Sequence, residues 1–473
     1  MTGSMAQSPI VSERRRTALV LGGGLAGISA ACALGDAGSQ VTLLERRGFL
    51  GGRAFSFPDA ESGWDVDNGQ HVFLGCCSEY VGLLRRLGVL DQTSLQDHLS
   101  IPIIEGGRTG HLWSAPLPPP LHLAPAFMRY PHLGLMDKLR LAYGMHKVRW
   151  TNRAKNREAL QQENFLSWLR RHRQTQRIID AFWNLITLPT LNSPAEHVTA
   201  DMGLMVFQEG LLRDRHSADI GYARVGLTAL VEDAALAAIG EQGGEVRFQT
   251  PVLAIEMEGD AVAGIRTSEG LLQADAYVSA LPFDTLLEML PAQTSATCFF
   301  QGATALRWAP IVGVHVWLDR WVTDLEVVAF LDSEIQWLFN KSLIQGRPKD
   351  EGQYLCISLS GAWQYADVPN EELERRFVEE LRRLFPAARD AQVTRVLVVK
   401  QRQATFIPDP ASDAGRLPAT TPVSNLFLAG DWTDTGWPAT MESAVRSGNA
   451  AARAVDGWLE NAKGASLAQA LEG

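Results

Sequence analysis

Thr17–Arg53 reads TALVLGGGLAGISAACALGDAGSQVTLLERRGFLGGR, and this stretch decides the fold. Thr17–Leu21 is a short apolar run that leads directly into Gly22-Gly23-Gly24-Leu25-Ala26-Gly27. Small and apolar residues fill Ile28–Ala37, as in a helix pressed against a sheet, and Val41–Leu44 is a second buried strand closed by Glu45. The spacing predicts a strand–turn–helix–strand unit. Gly22, Gly24 and Gly27 sit at the three positions of a dinucleotide fingerprint, with an acid roughly 20 residues on.

Each position has a physical task. Gly22 permits the tight turn, Gly24 lets backbone approach a pyrophosphate, and Gly27 allows close helix–strand packing. Leu25 and Ala26 open the helix, whose free N–H groups and partial positive charge favour phosphate. Glu45 is placed to accept hydrogen bonds from ribose hydroxyls, and its charge repels a 2′-phosphate. A glycine-rich turn alone is weak evidence. Between two strands and a helix, the dinucleotide reading prevails.

The residues after Glu45 separate one dinucleotide from another. Arg46-Arg47-Gly48-Phe49-Leu50-Gly51-Gly52-Arg53 resembles the extension of FAD-dependent amine oxidases and carotenoid desaturases. In those families a basic residue follows the acid, and Gly-Gly-Arg lies beside the pyrophosphate and flavin. The resemblance implies FAD.

Composition narrows the class. A chain of 473 residues, 46% hydrophobic and 20% charged, is long enough for two domains with a large core. The net charge of -10 argues against a dedicated nucleic-acid binder. Thirteen tryptophans suit a large apolar pocket. Cys32, Cys76, Cys77, Cys298 and Cys356 form neither a metal-ligand pattern nor a disulfide framework, so a reducing cytoplasm and no metal are expected. Residues 1–16 lack the apolar core of a signal peptide and read as a disordered lead-in. No run of about 20 uninterrupted apolar residues offers a membrane span.

Trp64–Phe73 reads as a strand entering a glycine turn, and Tyr80–Leu87 as a short amphipathic helix ending at Gly88. DNGQHVFLGCCSEYVGLLRRLGV resembles the segment after the cofactor motif of plant-type phytoene desaturases. That resemblance places Gly69, Gln70 and His71 near the flavin ring. His71 is either a catalytic proton carrier or a core histidine with satisfied hydrogen bonds.

Gly106–Met136 contains six prolines and no acidic residue, and Lys138, Arg140, Lys147, Arg149, Arg153, Lys155 and Arg157 follow it. Apolar surface beside cations is what a protein resting on an anionic bilayer shows, and residues 106–150 are the candidate contact segment. A proline-rich cap on the protein's own core is the alternative. Asn164–Asn192 carries an apolar helical stripe, including Trp183, that suits either core or a substrate tunnel.

Asp219–Pro282 returns to α/β character, with a helix at Ala229–Ile239 and short strands after it. Its resemblance to the second block of the same superfamily implies that Val252 holds the adenine through its backbone. Ile311–Leu318, Val327–Leu331, Gln336–Asn340 and Tyr354–Ser360 are strand-like, and Glu371–Phe385 is a charged amphipathic helix. Asn425–Asp431 is a strand ending in Ala-Gly-Asp, and a helix is expected from Met441 through Val455. The resemblance assigns Gly430 and Asp431 to the ribityl or pyrophosphate side of FAD. It sets the helix start at Thr440 and Met441 beside the flavin edge that gains negative charge on reduction.

RQATFIPDP, NLFLAGDWTDTGWPATMESAVRSG and NGQHVFLGCC together look most like the squalene-associated FAD-dependent desaturases, or hydroxysqualene dehydroxylases, of bacterial hopanoid pathways. The fold this implies is α/β: a discontinuous Rossmann-like FAD-binding domain with an inserted α+β substrate domain, of the amine oxidase and phytoene desaturase type. Its expected segments are 17–75, 216–290 and 406–461 for the cofactor, and 76–215 and 291–405 for substrate, with 462–473 as a tail. The implied reaction converts hydroxysqualene and reduced flavin to squalene, water and oxidised flavin. Departure of the allylic hydroxyl leaves a cation. Trp183, Trp337 and Trp437 are candidate tunnel residues with ring faces to stabilise it, and His71 and Asp434 are candidate acids.

No second dinucleotide fingerprint is present, so NADPH would bind transiently or a redox partner would supply electrons. The expected location is cytoplasmic, at the inner face of the membrane; the oligomeric state stays open. A carotenoid desaturase would run hydride from substrate to FAD. A prenyl-binding protein of the GDP-dissociation-inhibitor type would use the fold without FAD, against which Glu45, Gly52-Arg53 and Ala429–Asp431 argue. An amine oxidase would need an aromatic cage where this chain reads Pro438-Ala439-Thr440.

Overall fold

The computed structural model of the chain describes residues 15–472. Most of the expected lead-in at residues 1–16 lies outside them.

Five short strands form a parallel sheet in the order Glu245–Arg247, Gln40–Leu44, Thr17–Leu21, Ala276–Ser279, Leu426–Leu428. The inner strands Thr17–Leu21, Ala276–Ser279 and Leu426–Leu428 are buried almost throughout, which is why they read as continuous apolar runs, whereas Glu245–Arg247 is a partly exposed edge. The helix Leu25–Asp36 covers one face and packs against the long helix Met441–Glu472. That contact depends on small residues: a Cβ on Gly448 would fall 2.3 Å from the Ala26 carbonyl oxygen. The C-terminal helix runs well past Val455, through residues expected to be a tail. The sheet draws strands from three separated parts of the chain, so the dinucleotide-binding region is discontinuous and Rossmann-like.

The inserted substrate region is built on a seven-stranded sheet. Its order is Val393–Phe406, Trp308–Leu318, Gln353–Ser360, Trp337–Asn340, Val327–Phe330, Ser100–Glu105, Arg108–Trp113. Alternation divides its faces. Val312, Val314 and Val316, with Leu355, Ile357 and Leu359, pack against Leu373, Phe377 and Leu381 of the amphipathic helix Asn370–Leu384. The alternate residues Ile311, Ser358, Trp337 and Phe339 face a cavity shared with the dinucleotide region. Helices between Leu135 and Phe207 close the far side around Phe165, Trp168, Trp183 and Phe207.

Two parts of this sheet carry little sequence signal. The hairpin of Ser100–Glu105 and Arg108–Trp113 falls across the start of the proline-rich segment, and its strands are only six residues each. Val393–Phe406 is an edge strand with charged and polar side chains on both faces, which masks its alternation.

Candidate active site

A cavity of about 670 Å³ runs from the glycine-rich turn to the apolar face of the seven-stranded sheet. Gly22, Gly24, Leu25, Ala26, Glu45, Arg46, Gly51, Gly52 and Arg53 line one end, together with Val252, Gly430, Asp431, Thr440 and Met441. Leu99, Ile101, Leu112, Ile186, Met205, Leu211, Trp337 and Phe339 line the other. Gly69, Gln70, His71 and Trp437 lie on its walls as well.

The dinucleotide end requires its glycines. A Cβ on Gly27 would lie 1.9 Å from the Gly22 carbonyl oxygen, and one on Gly52 would lie 2.8 Å from the Gly24 Cα. Gly52 also has φ of +62°, a conformation glycine adopts without a Cβ penalty. A Cβ on Gly24 would meet nothing nearer than the Gly52 Cα at 3.7 Å, so this floor stays open to a ligand.

Glu45 is buried and held in place: its Oε2 accepts from Gly23 N and its Oε1 from Arg47 N, both at 2.8 Å. Arg53 pairs with Asp431, donates to the Ala404 carbonyl at 3.0 Å and sits 5.2 Å from the Trp308 ring centroid. The Gly430 amide donates to Ser447 Oγ at 2.7 Å, and Thr440 Oγ1 accepts from Ser443 N at 3.2 Å, capping the long helix. Glu442, in the same first turn, accepts from Tyr80 N at 2.8 Å, and burial raises its carboxyl above the usual range. Glycine floor, held acid, basic side chains and free helix terminus together fit the two phosphates and ribose of a dinucleotide.

The loop after Trp64–Asp67 joins the two ends. Asn68 ties it to the arginine turn, accepting from Phe55 N at 3.2 Å and donating to the Arg53 carbonyl at 2.9 Å. His71 Nδ1 donates to the Gly69 carbonyl at 2.9 Å, which leaves Nε2 as the acceptor nitrogen of the neutral ring. Burial pushes the His71 proton affinity below the ordinary histidine range, against the Gly69 hydrogen bond and the Asp67 charge; Lys341 lowers it further. Gln70 Oε1 is buried without a partner among the described residues.

Two expected site residues lie elsewhere. Asp434 is not on the cavity: its Oδ1 accepts from Arg157 Nη2 at 2.6 Å in a separate polar surface pocket with Lys155 and Glu158. The loop turns outward because buried Arg416 donates to the Thr433 carbonyl at 2.5 Å and the Trp437 carbonyl at 2.7 Å. Trp183 is fully buried in the helical core, its Nε1 donating to Gln174 Oε1 at 2.9 Å and its ring packed edge-on against Phe207. Trp337 and Trp437 do reach the cavity.

Two further groups matter and carry no motif. Arg416 shapes the loop just described. Lys341 Nζ pairs with Asp67 Oδ2 at 2.8 Å, deeply buried, across 274 residues of sequence, a separation no local pattern can report.

On the outer surface Leu135, Trp150 and Met128 are 77%, 71% and 70% exposed, beside Met136 and Leu139. Lys138, Arg140, Lys147 and Arg149 share the helix Leu135–Trp150 with Leu135, Met136, Leu139 and Trp150, and Met128 lies on the preceding short helix Ala124–Arg129. Among the described residues no helix is long and apolar enough to cross a membrane, and no group of side chains is arranged to hold a metal ion.

Residues 25–456 match the family model described as flavin containing amine oxidoreductase. The chain is 24% identical to the 15-cis-phytoene desaturase of Synechococcus elongatus, covering 92% of this chain and 95% of that protein. It is 27% identical to the zeta-carotene desaturase of Synechocystis sp., covering 92% and 96%. Among solved structures, cyclohexylamine oxidase from Brevibacterium oxydans aligns with a TM-score of 0.68 at 20% identity, covering 94% of this chain and 100% of that one. An oxidoreductase from Methanosarcina mazei aligns with a TM-score of 0.69 at 16% identity, covering 91% and 98%. These structural likenesses establish the fold.

Proposed function

This chain belongs to the flavin containing amine oxidoreductase family and is an FAD-dependent oxidoreductase, and on that premise we propose that it desaturates a long isoprenoid polyene. The carotenoid desaturase relatives support that substrate class. Bound FAD supplies two-electron hydride chemistry.

The observation that carries the reading is the continuity of the cavity: the dinucleotide cradle opens directly onto an apolar channel walled by Leu99, Ile101, Leu112, Met205 and Phe339. Burying an isoprenoid there is favourable by roughly 0.8 kcal/mol per CH₂, and the same walls exclude water. Gly22–Ala26, Glu45, Arg46, Gly51–Arg53, Val252, Gly430, Asp431, Thr440 and Met441, which line the dinucleotide end, would hold the cofactor. Gly69 and Gln70 line the same cavity between its two ends, and Trp337 and Trp437 on its wall would offer ring faces to positive charge developing on the chain. Loss of hydride from carbon must be matched by loss of a proton. His71, on the cavity wall with Nε2 unprotonated near neutral pH, would accept it.

The exposed apolar and basic face of Leu135–Trp150 supports a peripheral seat on an anionic membrane, where such substrates dissolve.

A second reading is the reductive dehydroxylation of hydroxysqualene. It is favoured by the resemblance of the Asn68–Cys77 and Asn425–Gly448 blocks to the squalene-associated enzymes. Here His71 would have to carry a proton to the departing hydroxyl, and NADPH or a redox partner would reduce the enzyme.

Product analysis separates the two. FAD-loaded enzyme in lipid vesicles is given phytoene with an electron acceptor, and, when reduced, hydroxysqualene. A product with an additional double bond supports desaturation; squalene from hydroxysqualene replaces it with the second reading; no conversion of either overturns both.

A further inference from the structure

We propose that Lys341, held by Asp67 across the boundary between the two regions, is a positioning residue for the proton-handling step at His71. The inference rests on the reading of His71 as the group that exchanges a proton with substrate.

Asp67 ends the strand Trp64–Asp67, and the next residues are the cavity loop Asn68–His71. Its Oδ1 accepts from Leu227 N at 3.1 Å, the first residue of a dinucleotide-side helix, and its Oδ2 takes Lys341. Lys341 follows directly on Trp337–Asn340, the strand that presents Trp337 and Phe339 to the substrate end. One ion pair therefore pins the loop that carries His71 to the sheet that carries substrate contacts. The two side chains are only 4% and 2% exposed.

Stability is a poor reason for such a pair. Two desolvated charges cost about as much as they return, and apolar residues of similar size commonly serve a fold as well. What apolar residues cannot supply is a field at His71. The pair provides two opposed ones: Asp67 favours the protonated ring and Lys341 disfavours it. His315, Cys356 and Tyr354 beside the pair carry no charge near neutral pH. Burial lowers His315 to about 4, raises Cys356 to about 12 and holds Tyr354 well above its usual range. Asp59, which also acts on His315 and Tyr354, is paired with Arg395 at 2.5 Å. Asp67 and Lys341 are thus the two charges that act on His71 among the described residues.

The test uses FAD-loaded protein labelled at histidine Cε1, with the His71 signal identified by its loss in His71→Gln. Its titration is followed by NMR in the wild type, Lys341→Met and Asp67→Asn. The expected result is a shift to higher pH in Lys341→Met and to lower pH in Asp67→Asn, with Lys341→Arg unchanged from wild type. Where Lys341→Met does not accumulate, Lys341→Gln keeps a donor for Asp67 without the charge and repeats the measurement. Shifts of the same sign, or none, overturn the proposal, because a purely structural pair has no reason to move one titration in opposite directions. Turnover of His71→Gln tests the underlying reading separately: unchanged turnover removes His71 from the reaction whatever the titrations show.

Discussion

Arg53 and Asp431, 378 residues apart in sequence, form an ion pair on the wall of the large cavity. It links the Gly51–Arg53 turn, which follows the second strand of the dinucleotide unit, to the end of the last strand of the parallel sheet. The Asp431→Ala variant leaves the Arg53 charge without its partner at the end of the cavity proposed to hold the phosphates. FAD affinity should fall about tenfold, equivalent to ~1.4 kcal/mol, measured as flavin retained after gel filtration. Full retention contradicts this placement of the cofactor.

His71→Gln should keep FAD and lower turnover by about 100-fold, the low end of what general acid–base catalysis contributes. The sign of the pH dependence follows from the tautomer. Desaturation needs the unprotonated ring, so activity rises with pH through the lowered His71 value and is level above it. Dehydroxylation needs the protonated ring, so activity falls over the same interval. A pH–rate profile with each substrate reads the sign directly.

Asp434→Asn should leave turnover unchanged, since its carboxylate is engaged by Arg157 outside the cavity. A loss comparable to that of His71→Gln would return Asp434 to the reaction.

The two tryptophans should separate. Trp183→Ala removes a fully buried ring and should cost about 3–5 kcal/mol of stability, read as a lowered melting temperature. Trp337→Ala, on the cavity, should raise KM for the isoprenoid with a smaller change in melting temperature.

Leu135→Glu combined with Met136→Glu places two anions on the exposed apolar face. Co-sedimentation with phosphatidylglycerol vesicles should drop sharply, while FAD content stays unchanged. Binding equal to wild type would remove this face from membrane contact.

Elements made from neighbouring residues were legible in the sequence. The strand–turn–helix–strand unit at Thr17–Leu44 and the helix at Asn370–Leu384 follow from local periodicity and glycine spacing. Pairings between distant segments were not. Nothing near Asp67 marks Lys341 as its partner, and nothing near Arg416 announces that it holds the loop carrying Trp437. Trp183 shows the limit of an apolar stripe: core and tunnel linings use the same residues at the same spacing, and only packing separates them. Asp434 follows the strand-end motif closely enough to suggest proximity to the flavin, yet a buried arginine turns its loop towards solvent.

On the proposed function, this cavity brings a long isoprenoid into hydride exchange with FAD. The most direct measurement is anaerobic: oxidised enzyme is mixed with phytoene, flavin absorbance is followed, and the lipid is extracted in the same experiment. Flavin should bleach, with desaturated product formed in equal amount. Flavin that stays oxidised with phytoene, and stays reduced when the reduced enzyme meets hydroxysqualene, would contradict it.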